Sequence, residues 1–232
     1  TCPLGTHVTG RATPEPAADV TMVRFPLGMP SPVLAEGFSG RVVLAQALTP
    51  TGSAVYTPAC LELAEPVVAE IAAGRIAGFD GPDPQVAAVK AHYAQVAKTL
   101  GIDARAVHSW HPGLHPGLAY PHPAKADWDR WSNTVFTSPQ ALHFHTCGAY
   151  APGEICWMVL WPTVRVDGSA LWSKGRLCPE ACEATRAVIA AWPALGALFA
   201  EPLAPLGLDG ASPGPWQRPP ISPPASPTTS SD

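Results

Sequence analysis

"EPVVAEIAAGRIAGFDGPDPQVAAVKAHYAQVAKTLG", residues 65–101, carries both kinds of regular structure in one run. Val67, Ala69 and Ile71 alternate with their neighbours, as a strand with one buried face requires. "AAGR" supplies the turn and "IAGFDG" the returning strand, so residues 65–81 read as a hairpin. The period then changes. Val86, Val89, Tyr93 and Val96 fall at helical spacing, with Asp83 placed to cap the start and Gly101 to end the helix. A hairpin feeding a long helix predicts an α/β or α+β domain, in which a mixed β-sheet carries the helix of residues 83–100.

The same reading extends in both directions. "GRVVLAQAL" (40–48) reads as a strand, and "ARAVHSW" (104–110) as a short strand running into a loop. "SNTVF" (132–136), "ALHFH" (141–145), "ICWMVLWPTVRVDG" (155–168) and "SALWSKGRL" (169–177) continue as strands. "CEATRAVIAAWPALGALFA" (182–200) is a second main helix that kinks or ends near Pro193. Residues 1–36 are proline-rich, with one or two short strands. The proline- and serine-dense residues 208–232 cannot bury enough surface to offset their ordering entropy and read as a disordered tail. One domain over residues 1–207 is expected, followed by that tail. The chain opens without methionine, which suits a fragment or a processed product.

Composition excludes some functions. Of 232 residues, 47% are hydrophobic and 14% charged, ample for a buried core, and the formal charge of −4 comes with no basic cluster. Nucleic-acid binding rests on phosphate neutralisation, so it is not expected. No apolar run reaches the ~18–20 residues that span a bilayer. Six cysteines at this length are too few for a disulfide scaffold, and Cys178 and Cys182 lack the second matched pair of a zinc knuckle. Reduced thiols and a cytoplasmic location are expected.

Five of the eight histidines crowd into two short segments, "VHSWHPGLHP" (107–116) and "LHFHTCG" (142–148). A strand through residues 141–145 puts His143 and His145 on one face and Leu142 and Phe144 on the other. Two imidazoles on one face can share a metal ion, though two hydrogen-bonded or solvent-facing histidines would give the same pattern. The second cluster favours the metal. Three ligands drawn from two segments, with coordination positions left open, make a catalytic rather than a structural site. Some of the five must then be bystanders. Cys147, two residues beyond His145, is a weaker candidate as a nucleophile. Glu154, in "APGEICW", reads as a turn-capping residue or as a general acid or base beside the ion. Neither GxGxxG nor GxxxxGK[ST] occurs.

Several motifs, in order, resemble the C-terminal part of the thermophilic-aminopeptidase metallopeptidase family, which includes the non-haem iron enzyme 2,5-dihydroxypyridine 5,6-dioxygenase. "GTHVTG" (5–10) resembles the family's early "GT-D-L" strand, and "RFPLGMPSP" (24–32) its "PxGE" turn. "LELAEPVVAEIAAGRIAGFDG" (61–81) resembles its "L-x-E-P…GRI…GG" hairpin. "VHSWHPGLHPG" sits where the family has a ligand followed by "GxGxNP". "SNTVF" and "LHFHTCG" stand at its "GNxxF" and closing H-x-D strands. The resemblance spans about residues 4–177 and implies that the family's N-terminal α/β domain is missing.

The departures from the pattern matter as much. Met29 stands where the peptidases place a metal-binding glutamate, and His145 where the family has aspartate. Without carboxylates to bridge two ions, the resemblance implies one mononuclear site. Its expected ligands are His108, His143 and His145, with His111 in reserve or in a catalytic role beside Glu154. Iron(II) is the expected ion and zinc(II) the alternative. The expected enzyme is a dioxygenase-like oxidoreductase acting on a small chelating aromatic or hydroxylated substrate. A zinc hydrolase and a non-catalytic family member are the rival readings, and self-association stays open.

Overall fold

The computed structural model describes residues 7–9, 13–14, 31–50, 55–149, 152–200 and 204–208. The expected tail, Met29 and "DVTMVRFPLG" lie outside those residues. In chain order the first strands are β1 (His7–Thr9), β2 (Thr13–Pro14), β3 (Val33–Leu34), β4 (Ser39–Leu44), β5 (Ala47–Thr49) and β6 (Leu61–Glu62). The opening hairpin is β7 (Val67–Ala72) with β8 (Arg75–Asp80), followed by α1 (Asp83–Leu100). Then come β9 (Val107–Pro112), α2 (Trp128–Val135), β10 (Ala141–Cys147) and β11 (Glu154–Leu160). β12 (Val164–Val166), β13 (Ser169–Ser173), β14 (Arg176–Leu177), α3 (Glu183–Ala191) and α4 (Pro193–Ala200) complete the order.

The β7–β8 hairpin forms as the sequence predicts, because Ala73 and Gly74 both take positive φ (48° and 72°), the turn whose twist matches paired strands. α1 also spans the predicted residues, with Gly101 in the left-handed conformation that closes it. Its start differs. Pro82 is the cap residue and makes no side-chain cap bond, while Asp83 lies inside the first turn, where its charge favours the helix dipole.

The strands form a four-stranded sheet in the order β1-β4-β7-β8, a seven-stranded sheet β2-β3-β9-β10-β11-β5-β6, and a three-stranded sheet β12-β13-β14. Pairing among the described residues is antiparallel throughout, so the fold is α+β and the expected mixed sheet is corrected. Short connections join β7 to β8, β10 to β11, β12 to β13 and β13 to β14, and such connections return the chain antiparallel, whereas β4–β7, β3–β9 and β11–β5 pair across long stretches of sequence.

One core joins the four-stranded sheet, α1 and one face of the large sheet: Val42, Leu44, Val67 and Ala69 meet Val89, Tyr93 and Val96, and these meet Leu142, Phe144, Ile155 and Trp157. Tyr93, Thr146 and Trp157 are hydrogen-bonded to one another inside it (Tyr93–Thr146 2.5 Å, Trp157 Nε1 to Tyr93 Oη 2.7 Å). The opposite face of the large sheet is covered by α2. There Trp128, Trp131 and Val135 pack with Ala141, Met158 and Leu206.

α2 corrects the strand expected at "SNTVF". Trp128, Trp131, Ser132 and Val135 are its buried residues, a helical face. Asp127 caps it by accepting from the Arg130 amide at 2.9 Å. "ICWMVLWPTVRVDG" is likewise divided between β11 and β12, and "SALWSKGRL" between β13 and β14. The 204–208 segment is laced to the α2 region. Trp131 Nε1 donates to the Leu206 carbonyl (2.8 Å), and the Tyr120 and Ala124 amides donate to Pro205 and Gly207.

Candidate metal centre

β10 lies in the middle of the seven-stranded sheet, and all seven of its residues are buried. Alternation sends Leu142 and Phe144 into the first core and His143 and His145 to the face beneath α2, as the H-x-H pattern predicts. On one side β9 sets His111 directly opposite His143 and Ser109 opposite His145. On the other, β11 sets Glu154 opposite Cys147, one step along the same face from His145.

His111, His143 and His145 converge. Their ring centroids stand 5.1 Å (111–143), 5.2 Å (111–145) and 4.7 Å (143–145) apart. One nitrogen from each ring lies within 4.8 Å of one from each of the others. Three nitrogens sharing an ion at ~2.0–2.2 Å stand about 3.3–3.8 Å apart, so a 4.8 Å separation must shorten before all three bind it. The three side chains are buried, and each retains a buried nitrogen with no hydrogen-bond partner: His111 Nδ1, His143 Nδ1 and His145 Nε2. Buried polar atoms are rarely left unpaired, and three beside one another mark a place built for a shared partner. The chemistry of the set fits a borderline divalent cation, which accepts neutral imidazole nitrogen.

Burial also keeps these rings neutral. It pushes His111 down to about 4 and His143 well below the ordinary histidine value, with His145 and His111 adding to the effect on His143. His145 is lowered by burial and by His111 and His108, while the Glu154 carboxylate pulls the other way. Glu154 is no turn cap. It begins β11, is 2% exposed, and its Oε1 meets His145 Nδ1. Phe136, at the end of α2, packs its ring 6.0 Å from both His111 and His143 and gives the centre an apolar wall.

One member of the expected ligand trio is corrected. His108 does not join His143 and His145. Between Ser109 (opposite His145) and Val107 (opposite Thr146), β9 carries one residue more than β10, and that extra residue is His108. A bulge residue stands out of the ladder's alternation. Its Nε2 contacts the Cys147 carbonyl at 2.9 Å instead. His111 takes its place because Trp110, opposite Phe144, enters the first core and leaves its neighbours to the other face. A strand commits its largest apolar side chain to the core. Trp110 in "HSWH" hints at the face of its neighbours, while the bulge at His108 shows only in the pairing with β10.

His92, His115 and His122 do not join the trio. His92 is buried on α1 against Tyr56, His122 packs on Tyr120, and the His115 amide donates to Thr137. Gly113, just past β9, runs so close to Thr137 and Ser138 that a Cβ would collide with their backbone, which fixes the loop beside the centre. Among the described residues Cys60, Cys147, Cys178 and Cys182 are free thiols, and burial pushes the Cys147 thiol up to about 11, far from a nucleophile's range. Among the described residues no second group of three metal-ligating side chains comes together. Among the described residues no helix is long and apolar enough to cross a membrane.

Comparison with protein-family models, curated proteins and solved structures finds nothing that matches this chain. The family resemblance therefore rests on the motifs quoted above.

Proposed function

We propose that His111, His143 and His145 hold one divalent transition-metal ion, iron(II) first, and that the chain is a metal-dependent oxidoreductase of the dioxygenase type. The single observation that carries this reading is the convergence of three buried, neutral imidazoles, each with an unpartnered nitrogen. Leaving them unpaired would cost roughly 1–3 kcal/mol each. His92 Nε2 and His115 Nδ1 are also buried and unpartnered, so what points to a shared ion is the convergence of three such rings and not a missing partner alone.

When bound, such an ion supplies Lewis acidity and, as iron, access to oxygen chemistry. The protein's own contribution is separate. Burial holds the rings deprotonated at neutral pH, so their lone pairs are free without proton release. The paired strands of the central sheet fix the rings' spacing. Phe136 packs its ring against His111 and His143 and gives the centre an apolar wall. Three protein ligands leave positions for a chelating substrate.

A zinc-dependent hydrolase is the second reading, favoured by the presence of one acidic side chain, Glu154, at the centre. Its contact with His145 commits that carboxylate and weakens its claim as a free general base.

The test is metal analysis of tag-free protein purified without oxygen, followed by oxygen uptake with hydroxylated aromatic substrates. One equivalent of iron with oxygen-dependent turnover is expected. One equivalent of zinc with oxygen-indifferent hydrolysis would transfer the assignment to the second reading. Stoichiometric metal without turnover would make the chain a binding protein. Two tightly bound zinc ions with aminopeptidase turnover would overturn the mononuclear site.

A further inference from the structure

We infer that Glu154 is the positioning residue of this centre: it accepts a hydrogen bond from His145 Nδ1–H and so turns a bare Nε2 toward His111 and His143. The inference rests on the metal-centre reading above and adds to it the group that fixes one ligand's tautomer. Its observations are geometric. Glu154 Oε1 meets His145 Nδ1, and the opposite nitrogen of that ring, Nε2, is buried and without a hydrogen-bond partner. A neutral imidazole carries one proton. If Nδ1 donates it to the carboxylate, Nε2 is left with its lone pair. If the proton sat on Nε2, that N–H would be a buried donor without a hydrogen-bond partner, and the Glu154 carboxylate would face a bare Nδ1 that cannot donate to it.

The placement of Glu154 is built into the sheet. Cys147 pairs with Glu154 and His145 with Cys156, so carboxylate and imidazole are diagonal neighbours on one face. The start of β11 is held from several directions. Tyr56 Oη donates to the Glu154 carbonyl at 2.8 Å, and the Gly148 amide donates to Gly153 at 3.0 Å. Gly153 has a φ of 101°, and a side chain there would press on Leu100 and Ile102. The carboxylate is therefore delivered to His145 by a backbone with little freedom.

Charge explains why an acid is tolerated there. A buried carboxylate needs a compensating partner. Among the described residues, the ion-pair contact of Glu154 is with His145 and no lysine or arginine. An imidazole N–H compensates a full negative charge only in part. A cation on the far side of the same ring would complete the compensation, and the carboxylate would in turn raise the basicity of Nε2. Partners of this kind, behind a ligating histidine, typically contribute 10–100-fold in metal affinity.

The experiment uses the tag-free full chain, zinc(II) and cobalt(II) as probe ions, and the variants E154Q and E154D. Nitrogen NMR of histidine-labelled, metal-free protein reports which His145 nitrogen carries the proton, whatever the metal does. The expected results are a proton on Nδ1 in the wild type, one equivalent of metal bound, and affinity roughly 10–100-fold weaker in E154Q. E154D, which keeps the charge, should recover part of that loss. A proton on Nε2, or E154Q binding within threefold of the wild type, overturns the inference. Wild-type protein that binds neither ion overturns the metal-centre reading itself. The wild-type tautomer decides the role of Glu154 even if E154Q does not fold.

Discussion

Acid should unfold the metal-free protein well above the pH at which carboxylates usually matter. His111 has its value pushed from 6.5 to about 4 by burial, and His143 is held well below 6.5 by the same cause. In the unfolded chain both regain ordinary histidine behaviour. Above pH ~6.5 the rings are neutral in both states and stability does not depend on them. As pH falls below 6.5, the unfolded state takes up protons that the native state refuses, so stability falls with it. At pH 5 His111 favours the unfolded state by about 2 kcal/mol, and His143 acts in the same direction. That is a large part of the ~5–15 kcal/mol that holds a domain folded. His92, lowered by burial on α1, acts in the same direction. His145 is left out because Glu154 opposes the effect of its burial. The assay is urea unfolding with chelator present, followed by tryptophan fluorescence from pH 7.5 to 5. Stability should fall with pH, and His111→Phe should remove about 2 kcal/mol of the fall at pH 5. A flat profile between pH 7 and 5 would refute the claim that these rings are buried and neutral.

Other perturbations separate the ligands from their neighbours. His143→Ala should lower zinc or iron affinity by more than the 10–100-fold of an indirect partner, as titration calorimetry would record. His108→Ala should leave metal stoichiometry at one and lose only the contact with the Cys147 carbonyl, about 1 kcal/mol by chemical denaturation. Trp131→Phe keeps an aromatic ring but leaves the Leu206 carbonyl without its donor, and should cost about 1–3 kcal/mol in the same assay. Asp127→Ala removes the cap of α2 and should cost about 1 kcal/mol of thermal or urea stability.

The parts of the fold that the sequence made legible are those whose signal is local. The β7–β8 hairpin and α1 announce themselves through a change of period within residues 65–101, and the H-x-H pair through strict alternation on β10. What was not legible depended on partners distant in sequence. Whether His108 or His111 faces His143 is decided by a single extra residue in β9, and a bulge shows only against the strand it pairs with. "SNTVF" looks like a strand when read alone. Its helical face appears only when Trp128 and Trp131 are counted with Ser132 and Val135. The role of Glu154 depended on the register between β10 and β11, which no spacing within "APGEICW" reveals.

The three imidazoles and the carboxylate behind them all come from residues 111–154, on three strands adjacent in the sheet. Contacts within residues 111–154 require shorter loops to close than those joining β3 to β9 or β11 to β5, and so cost less entropy. The centre can therefore be complete once β9, β10 and β11 have met, before the first strands of the chain are in place. An ion captured at that stage would act on the assembly of the sheet itself, holding β9 and β10 in register while the bulge at His108 settles. Refolding with and without zinc, timed by stopped flow, would then differ in the rate of folding as well as in final stability.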